Sequence, residues 1–328
     1  MTRLTISIAL CTYHGEKFLQ EQLDSLANQT RLPDEVVVGD DGSTDRTLEI
    51  LENWAKTVSF PVKITRNEKN LGFAKNFEAT MMRCTGDVIF PCDQDDIWLP
   101  TKLEKMTAVM ENHPKIGAVY CTSTVFYMDG RAPISIIPQV TNWHRYFIAY
   151  YTTPFYDQNP MDAGCCSAWR RELLPNFFPI PSGWFHDMWF YVLAPHFTQV
   201  YTIMEPLIYY RRHTSNASYS NAPENRGWGD ETQKNNFRAS VYLYKMYRPQ
   251  MESLEKRLHS IKSTQKTCRH LQYLQRFHSH FRRRIRTEEN LIRNFGSFFR
   301  EFITGGYFRF RQPIRSILFD LKEGLSRK

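Results

Sequence analysis

The N-terminal part of the chain alternates short apolar runs with segments of helical periodicity. Residues 4–12, 35–39 and 88–92 are nearly continuous in hydrophobicity and rich in β-branched side chains, which is typical of strands buried on both faces. The intervening segments carry apolar residues at helical spacing, as between Glu16 and Asn28. This alternation, sustained to about residue 128, predicts right-handed strand–helix–strand units and a mostly parallel sheet flanked by helices.

One of these runs ends in a dense group of carboxylates. The segment VIFPCDQDDIW places Asp93, Asp95 and Asp96 within four residues of one another. Such charges repel unless solvent screens them or a divalent cation neutralises them, and Mg²⁺ and Mn²⁺ prefer carboxylate oxygens. The carboxyl end of a parallel strand is also where α/β sheets bind ligands. The cluster is therefore a candidate divalent-cation site, with an acidic turn before the next helix as the alternative.

Polar residues follow two other strand ends. After the second apolar run comes DDGSTD, in which Gly42 suits a turn and Asp40 and Asp41 lie at the mouth of the sheet. A carboxylate there can accept hydrogen bonds from a base N–H or a ribose hydroxyl. Tyr13, at the end of the first run, can stack on a base. The alternative is a structural turn that caps the following helix.

A third segment, NLGFAKN, puts a helix N-terminus near the same edge. A helix N-terminus favours phosphate, and Lys75 adds a positive charge. An ordinary amphipathic helix with a solvated lysine is the alternative.

In their order along the chain, the segments ALCTYHGEKFL, VVVGDDGSTD, NLGFAKN and DVIFPCDQDDIW resemble the nucleotide-sugar-binding half of family 2 glycosyltransferases with the GT-A fold. Within that family they are most similar to bacterial enzymes that build surface polysaccharides, including the rhamnosyltransferase-like group. The resemblance covers roughly residues 4–216. It implies an α/β, Rossmann-like GT-A fold, a nucleoside diphosphate-sugar donor and a divalent cation, Mg²⁺ or Mn²⁺.

The resemblance also implies roles for individual residues. The nucleotide-binding set is Thr12, Tyr13, Glu16, Asp40, Asp41, Lys75 and Asp93, and the metal-binding set is Asp93, Asp95 and His213, with Asp96 close by. The pair Cys11-Thr12 departs from a common form of the family at the base side of the site.

Sugar transfer with inversion needs a base on the acceptor hydroxyl, opposite the leaving diphosphate. In WFHDMW, Asp187 lies among aromatic residues. These residues would partly remove the carboxylate from water, which would make it more basic. A structural His–Asp pair that caps the next helix is the alternative, but the resemblance favours a catalytic Asp187. We expect Trp184 and Trp189 to stack on sugar rings and His186 to support the site from behind.

The segment YRRHTSN follows another predicted strand, Val200 to Tyr210. The resemblance suggests that His213 reaches the metal or the diphosphate, although a lone histidine is more often structural. Arg211 and Arg212 are candidates to offset charge on the leaving group.

Charge is distributed unevenly between a body and a tail. The whole chain carries a net charge of +8, but residues 231–328 contain 22 basic and 8 acidic residues. The family resemblance implies a GT-A catalytic domain at 1–230, with a donor half at about 1–128 and an acceptor half at about 129–230. The charge distribution sets a basic helical region at 231–328 apart from it. Basic tails favour anionic partners.

The tail contains two amphipathic patterns, at 291–303 and 314–321, preceded by the run RRRIR at 282–286. One interpretation is peripheral contact with an anionic membrane, where a lipid-linked acceptor would be found. The alternative is that these helices cover the catalytic domain or join copies of the chain in an oligomer. Nucleic-acid binding is disfavoured because no known motif is present.

The 7 cysteines show neither a disulfide framework nor zinc-site spacing, which suits a reducing compartment. No signal peptide or membrane-spanning run is evident. We expect a cytoplasmic protein, free or on the inner face of the cytoplasmic membrane.

Two other functions fit part of the pattern. A sugar-nucleotide nucleotidyltransferase would release pyrophosphate, but its glycine-rich phosphate loop is not evident. A non-catalytic nucleotide-sugar-binding subunit would bind donor without transfer, and an intact acidic motif with Asp187 argues against it.

Overall fold

The computed structural model describes residues 3–128, 134–136, 164–213, 216 and 236–261, together with 271, 272, 275 and 279. The chain divides into two compact units, one comprising Met1–Trp143 with Asp157–Ala222 and the other His144–Tyr156 with Pro223–Lys328. Every residue that the sequence predicts for the site lies in the first unit.

The described strands belong to one sheet of nine. They are β1 (Ile6–Thr12), β2 (Glu35–Asp40), β3 (Val62–Arg66), β4 (Val88–Cys92), β5 (Ile97–Trp98), β6 (Ile116–Tyr127), β7 (Ile134–Ile136), β8 (Ser167–Arg170) and β9 (Gln199–Arg212). The described α-helices are α1 (Leu19–Ala27), α2 (Thr47–Ala55), α3 (Phe73–Arg83), α4 (Lys102–Asn112), α5 (Leu174–Phe177), α6 (His186–Leu193) and α7 (Asn236–Ser260). Short 3₁₀ helices lie at Gly164–Cys166, Arg171–Leu173 and Ala194–His196.

The sheet has the order β3-β2-β1-β4-β8-β6-β9-β5, and β7 pairs with β6. Strands β1 to β4 pair in parallel, which confirms the predicted strand–helix–strand units. Strand β8 runs antiparallel between β4 and β6, and β5 runs antiparallel to β9. Strand β6 therefore points the same way as β4 without pairing with it, and the sheet is mixed in its second half.

The apolar runs become strands because both faces of the sheet are covered. Every residue of β1, β2 and β4 is buried. Side chains such as Leu10, Val38 and Phe90 pack in one core with Leu23 of α1. Pro91 is tolerated in β4 because β8 pairs with that strand only at Val88 and Ile89, so the missing N–H falls beyond the paired part.

The parallel register brings three strand ends to one edge. Thr12 of β1 lies opposite Asp40 of β2, and Leu10 of β1 lies opposite Cys92 of β4. The polar segments that follow these strands therefore meet at the same edge of the sheet, as the sequence predicts.

The second unit contains α7, in which Met251, Leu254 and Leu258 are buried. No helix in the described part of the chain is both long and apolar enough to cross a membrane. The amphipathic patterns at 291–303 and 314–321 and the basic run at 282–286 lie outside the described residues, so their predicted roles stay predictions.

Candidate active site

The acidic motif lies in the turn between β4 and β5. One ligand atom from each of Asp93, Asp96 and Cys165 lies within 4.8 Å of the other two. Asp96 is fully buried, and its Oδ1 accepts a hydrogen bond of 3.0 Å from the backbone N–H of Arg211. Its Oδ2 is buried with no hydrogen-bond partner among the described residues. A carboxylate oxygen without a hydrogen-bond partner can coordinate a cation or carry a proton.

Burial and the negative charge of neighbouring carboxylates raise the pKa values of Asp93 and Asp96. Burial, and then the neighbouring Asp95, raise the pKa of Asp96 to about 8. Burial followed by the charges of Asp96, Asp95 and Asp187 raises the pKa of Asp93 well above its usual range. Ionisation of these carboxyl groups is unfavourable without a nearby positive charge, and a hard divalent cation bound by their oxygens would supply it.

Asp95 is joined to the segment after β9. Its Oδ2 lies 2.9 Å from Nε2 of His213 and accepts a hydrogen bond of 3.0 Å from Nδ2 of Asn216. The ring of His213 also packs on Phe18, with 4.6 Å between centroids. The fold thus brings His213 and Asn216 to the acidic motif, and the predicted contact of His213 with a metal or a diphosphate stays a prediction.

Arg211 forms hydrogen bonds with the backbone of the acidic motif and with a carboxylate of α1. Its Nε donates to the backbone oxygen of Asp95 at 2.7 Å, and its Nη2 donates to Glu21 at 2.8 Å. The guanidinium lies over the rings of Phe18 and Phe126. These contacts hold the buried guanidinium against the backbone of the motif, and its predicted interaction with the leaving group stays a prediction.

Asp40 closes the turn after β2. Its carboxylate accepts hydrogen bonds from the Thr12 hydroxyl at 2.9 Å and from the backbone N–H groups of Gly42 and Ser43 at 3.2 and 2.9 Å. Gly42 takes a positive φ of 90°, which the predicted turn requires. Thr12 and Asp40 are both buried, so each has its polar group engaged within the protein.

Asp41 holds the loop that leads into α3. Its carboxylate accepts hydrogen bonds from the backbone N–H groups of Leu71 and Gly72 at 2.8 and 2.9 Å, and from Asn67 Nδ2 at 2.9 Å. This carboxylate is 3% exposed. The described contacts of Asp41 are thus structural, and its predicted contact with a nucleoside stays a prediction.

Tyr13 keeps a free ring face at the mouth of the site. It is 47% exposed and stacks on His14 with 4.1 Å between ring centroids. Glu16 is exposed nearby, and its carboxylate accepts a hydrogen bond of 3.0 Å from the backbone N–H of Arg46. The ring of Tyr13 is therefore available to stack on a base.

Lys75 lies in the first turn of α3 and forms an ion pair with a carboxylate of the same helix. Its Nζ is 2.7 Å from Glu78, which also accepts the backbone N–H of Ile180. The lysine side chain is 45% exposed, so it matches the alternative of a solvated lysine in a surface ion pair.

Asp187 lies in α6, near enough to the acidic motif for its charge to act on Asp93. It lies in the first turn of that helix and accepts hydrogen bonds from the backbone N–H groups of Met188 and Gly164. Burial raises the pKa of Asp187 to about 7, and its charge in turn raises the pKa of Asp93. A general base with a pKa near neutrality is well matched to proton abstraction at physiological pH.

His186 does not pair with Asp187. It is 1% exposed, and neither ring nitrogen has a hydrogen-bond partner among the described residues. Its ring stacks on Phe77 at 3.9 Å, and burial lowers its pKa to about 3, so it is neutral. The alternative of a structural His–Asp pair is therefore excluded, and α6 begins without a side-chain cap.

Trp184 and Trp189 belong to the core. They are 4% and 1% exposed, their ring centroids are 5.1 Å apart, and Nε1 of Trp189 donates to the backbone oxygen of Phe177. Neither ring presents an open face to an acceptor sugar, which corrects the expectation that both stack on sugars.

The structure adds four residues that the sequence did not single out. Glu21 contacts Arg211, and Gln94 contacts Tyr13. Cys165 lies beside the buried carboxylates, and Asn216 contacts Asp95. Gln94 and Asn216 lie inside segments already of interest, but their amide side chains carry no charge pattern to reveal a partner.

Residues 7–178, slightly more than half of the chain, match the model of Glycosyl transferase family 2. The chain therefore belongs to glycosyl transferase family 2. This is the family that the order of its four sequence segments predicts.

Among curated relatives, the amylovoran biosynthesis glycosyltransferase AmsE of Erwinia amylovora is 34% identical over 139 residues, which is 42% of this chain and 52% of that protein. The matched region thus spans about half the length of that relative. The structure is similar to that of S. aureus TarS 1-349 in complex with UDP-GlcNAc, with 19% identity, a TM-score of 0.55, and coverage of 84% of this chain and 71% of TarS. It is also similar to the mannosyltransferase PcManGT from Pyrobaculum calidifontis in complex with GDP-Man and Mn²⁺, with 16% identity, a TM-score of 0.50, and coverage of 83% and 79%. These likenesses confirm the predicted GT-A fold class.

Proposed function

We propose that this protein is an inverting, metal-dependent glycosyltransferase that moves a sugar from a nucleoside diphosphate-sugar to a growing cell-surface glycan, such as lipopolysaccharide or capsule. One observation carries the proposal. Asp187, whose pKa is raised to about 7, approaches the acidic motif from a separate element, α6. A base and a leaving-group site on different elements suit attack from opposite sides of the sugar.

The donor is held at the edge formed by β1, β2 and β4. The exposed ring of Tyr13 offers a stacking face for the base. A nucleotide-sugar donor is supported by two neighbours of similar fold, since TarS has been crystallised with UDP-GlcNAc and PcManGT with GDP-Man.

Asp93, Asp95 and His213 would hold a divalent cation. The raised pKa of Asp93 and the unpartnered Oδ2 of Asp96 fit a site that needs positive charge. When bound, Mg²⁺ or Mn²⁺ stabilises the negative charge that develops on the diphosphate. The neighbour PcManGT binds Mn²⁺ together with its donor.

Asp187 acts on the acceptor. It takes the proton of the acceptor hydroxyl as that oxygen forms a bond to the anomeric carbon, while the bond from that carbon to the diphosphate breaks and its electron pair stays on the diphosphate oxygen. The hydrogen bonds from Met188 and Gly164 orient the carboxylate for this transfer.

The proposed setting is the cytoplasmic side of a membrane, where a lipid-linked or glycan acceptor is assembled. The relative AmsE is named for amylovoran biosynthesis, which supports a polysaccharide product. The excess of basic residues at 231–328 supports contact with anionic lipid.

The first test is a thermal-shift panel of UDP, dTDP and GDP, each with and without Mn²⁺. Ligands that bind the native state raise its melting temperature by mass action. We expect a metal-dependent shift with at least one nucleotide, lost in Asp95→Ala and kept in Asp187→Asn. A folded sample that shifts with none of them would remove the nucleotide–metal site and the proposal with it.

The products then separate the rival functions. Release of nucleoside diphosphate with glycan growth supports the transferase. Release of pyrophosphate would indicate a nucleotidyltransferase, and donor binding with neither product would indicate a non-catalytic binding subunit.

A further inference from the structure

Gln94, which lies between Asp93 and Asp95, clasps the backbone of Tyr13. Its Oε1 accepts a hydrogen bond of 2.8 Å from the Tyr13 N–H, and its Nε2 donates one of 3.0 Å to the Tyr13 carbonyl oxygen. Backbone pairing between β1 and β4 ends at Leu10 and Cys92. Beyond the last backbone pair, the side chain of Gln94 therefore joins the segment after β4 to the segment after β1.

The clasped residue carries the exposed ring of the proposed nucleoside site. Tyr13 stacks on His14, whose φ of 48° is left-handed. The backbone N–H of His14 donates to the Ser43 hydroxyl at 2.9 Å, and its Nε2 lies 3.1 Å from the Thr44 hydroxyl. The backbone and ring of His14 are therefore held by the turn after β2, and the backbone of Tyr13 is held by Gln94.

Gly15 leaves room for the two hydrogen bonds between Gln94 and the Tyr13 backbone. A Cβ atom at Gly15 would lie 2.3 Å from Oε1 and 2.7 Å from Cδ of Gln94. Any larger residue at position 15 would push the amide off the Tyr13 backbone.

We propose that Gln94 is a positioning residue that couples cation binding at the acidic motif to nucleoside binding at Tyr13. The proposal rests on the function proposed above. A cation that orders the segment Asp93–Asp95 also fixes the residue between them, and the clasp transmits that order to the Tyr13 loop. The cation thereby strengthens binding of a nucleoside that has no phosphate for it to bridge, and the effect is reciprocal.

The test measures nucleoside affinity with and without metal. Equilibrium dialysis of uridine, thymidine and guanosine, each without and with Mn²⁺, is run on the full chain and on Gln94→Ala, with UDP, dTDP and GDP in parallel. We expect Mn²⁺ to lower the Kd of one nucleoside by about fivefold in the unmodified chain, within the usual range for coupled sites. We expect no such change in Gln94→Ala.

Two further variants make the test specific. Gly15→Ala keeps Gln94 but displaces its amide, so we expect it to lose the metal effect on nucleoside Kd as Gln94→Ala does. Gln20→Ala is the matched control, because Gln20 is an exposed amide on α1 that donates to Asp24, and we expect it to keep the effect. Circular dichroism confirms that each variant is folded.

The outcomes are distinct. The coupling is overturned if Mn²⁺ does not change the nucleoside Kd of the unmodified chain, or if nucleoside binding is too weak to measure both with and without Mn²⁺. Binding of a nucleoside diphosphate in the same experiment would still uphold the proposed function. A metal effect that persists in Gln94→Ala also overturns the coupling. Failure of every diphosphate to bind removes the proposed function itself.

Discussion

Local surroundings shift the pKa values of two aspartates, Asp187 and Asp87, in opposite directions. Burial raises the pKa of Asp187 to about 7. At the other end of the strands, hydrogen bonds from the backbone and side chain of Thr5 lower the pKa of Asp87. The same type of side chain is thus a stronger base than usual at Asp187 and a weaker base than usual at Asp87. The difference marks Asp187 as the group suited to exchange protons near neutrality.

This pKa predicts how the reaction depends on pH. Asp187 must be ionised to accept a proton, and its ionised fraction grows as the pH rises through about 7. We expect kcat/KM to rise along an acid limb centred near that pH. We expect Asp187→Asn to lower kcat by about 100- to 10,000-fold while nucleotide binding is kept. Initial rates across a pH series and a thermal shift with nucleotide measure the two effects, and a fully active Asp187→Asn would remove Asp187 as the base.

Arg211 predicts a different phenotype. Arg211→Lys cannot reach the Asp95 backbone, Glu21 and two aromatic rings at once, since an ammonium lacks the planar fork of a guanidinium. We expect a loss of about 1–3 kcal/mol in the free energy of unfolding and a smaller metal-dependent thermal shift. Arg3→Lys, at an exposed arginine with only a long surface ion pair to Asp34, is the control. Unfolding by urea measures the first effect, and an unchanged stability would show that the guanidinium contacts are dispensable.

At the scale of elements, α3 begins where a loop is tied back to β2. The backbone N–H groups of Leu71 and Gly72 are satisfied by the buried carboxylate of Asp41, and Gly72 takes a positive φ of 79° before the helix. One strand end therefore fixes the start of a helix that is distant in sequence. The same carboxylate is a predicted nucleotide ligand, so its two roles can be separated by experiment.

We expect Asp41→Asn to lower the free energy of unfolding by about 1–3 kcal/mol, because an amide cannot accept from every donor that the carboxylate satisfies. Denaturant unfolding tests this, with Asp24→Asn on the exposed face of α1 as the control. If Asp41→Asn instead weakens nucleotide binding and leaves stability unchanged, the carboxylate is a ligand contact.

The elements of the N-terminal half follow from local pattern. Continuous apolar runs gave β1, β2 and β4, and helical spacing gave α1 to α3, because a strand covered on both faces leaves no polar positions. Strand β8 was not predictable in this way. It has four residues, and its position between β4 and β6 depends on pairing with strands far away in sequence.

The site was predictable in outline for a related reason. Strand ends at one edge of a parallel sheet must gather their polar residues, so the grouping of Tyr13, Asp40 and Asp93 follows from topology. Burial was not predictable from residue type alone. A tryptophan next to a helix suits a sugar platform and a core equally well, and only the packing around Trp184 and Trp189 decides between them.

At the scale of the whole molecule, charge separates along the sequence. Residues 1–230 hold 20 basic and 26 acidic residues, whereas residues 231–328 hold 22 and 8. An anionic surface would therefore attract the C-terminal region and repel the part that carries the acidic motif.

We expect the full chain to bind vesicles of phosphatidylglycerol and not vesicles of phosphatidylcholine, and to dissociate as salt is raised. Replacing the four arginines within residues 282–286 by glutamine should weaken binding about tenfold or more, since each basic residue near an anionic surface contributes about 1 kcal/mol. Vesicle sedimentation measures the bound fraction.

The control carries four glutamines in place of exposed basic residues of the first unit, namely Arg3, Lys56, Lys69 and Lys115. We expect it to sediment with vesicles as the unmodified chain does. Equal losses in both variants would mean that net charge, and not the C-terminal region, drives binding.

The position of β8 governs the order in which the sheet can be completed during synthesis. Strand β4 gains its second neighbour only when Ser167–Arg170 has left the ribosome, long after Cys92. Until then the growing chain presents an unpaired edge made of buried-type residues, and such edges recruit other chains. Strand β6 waits for the same segment and for β9. The nascent chain is therefore most exposed to misassociation between the emergence of β4 and that of β8, the interval in which a holding chaperone would have most effect.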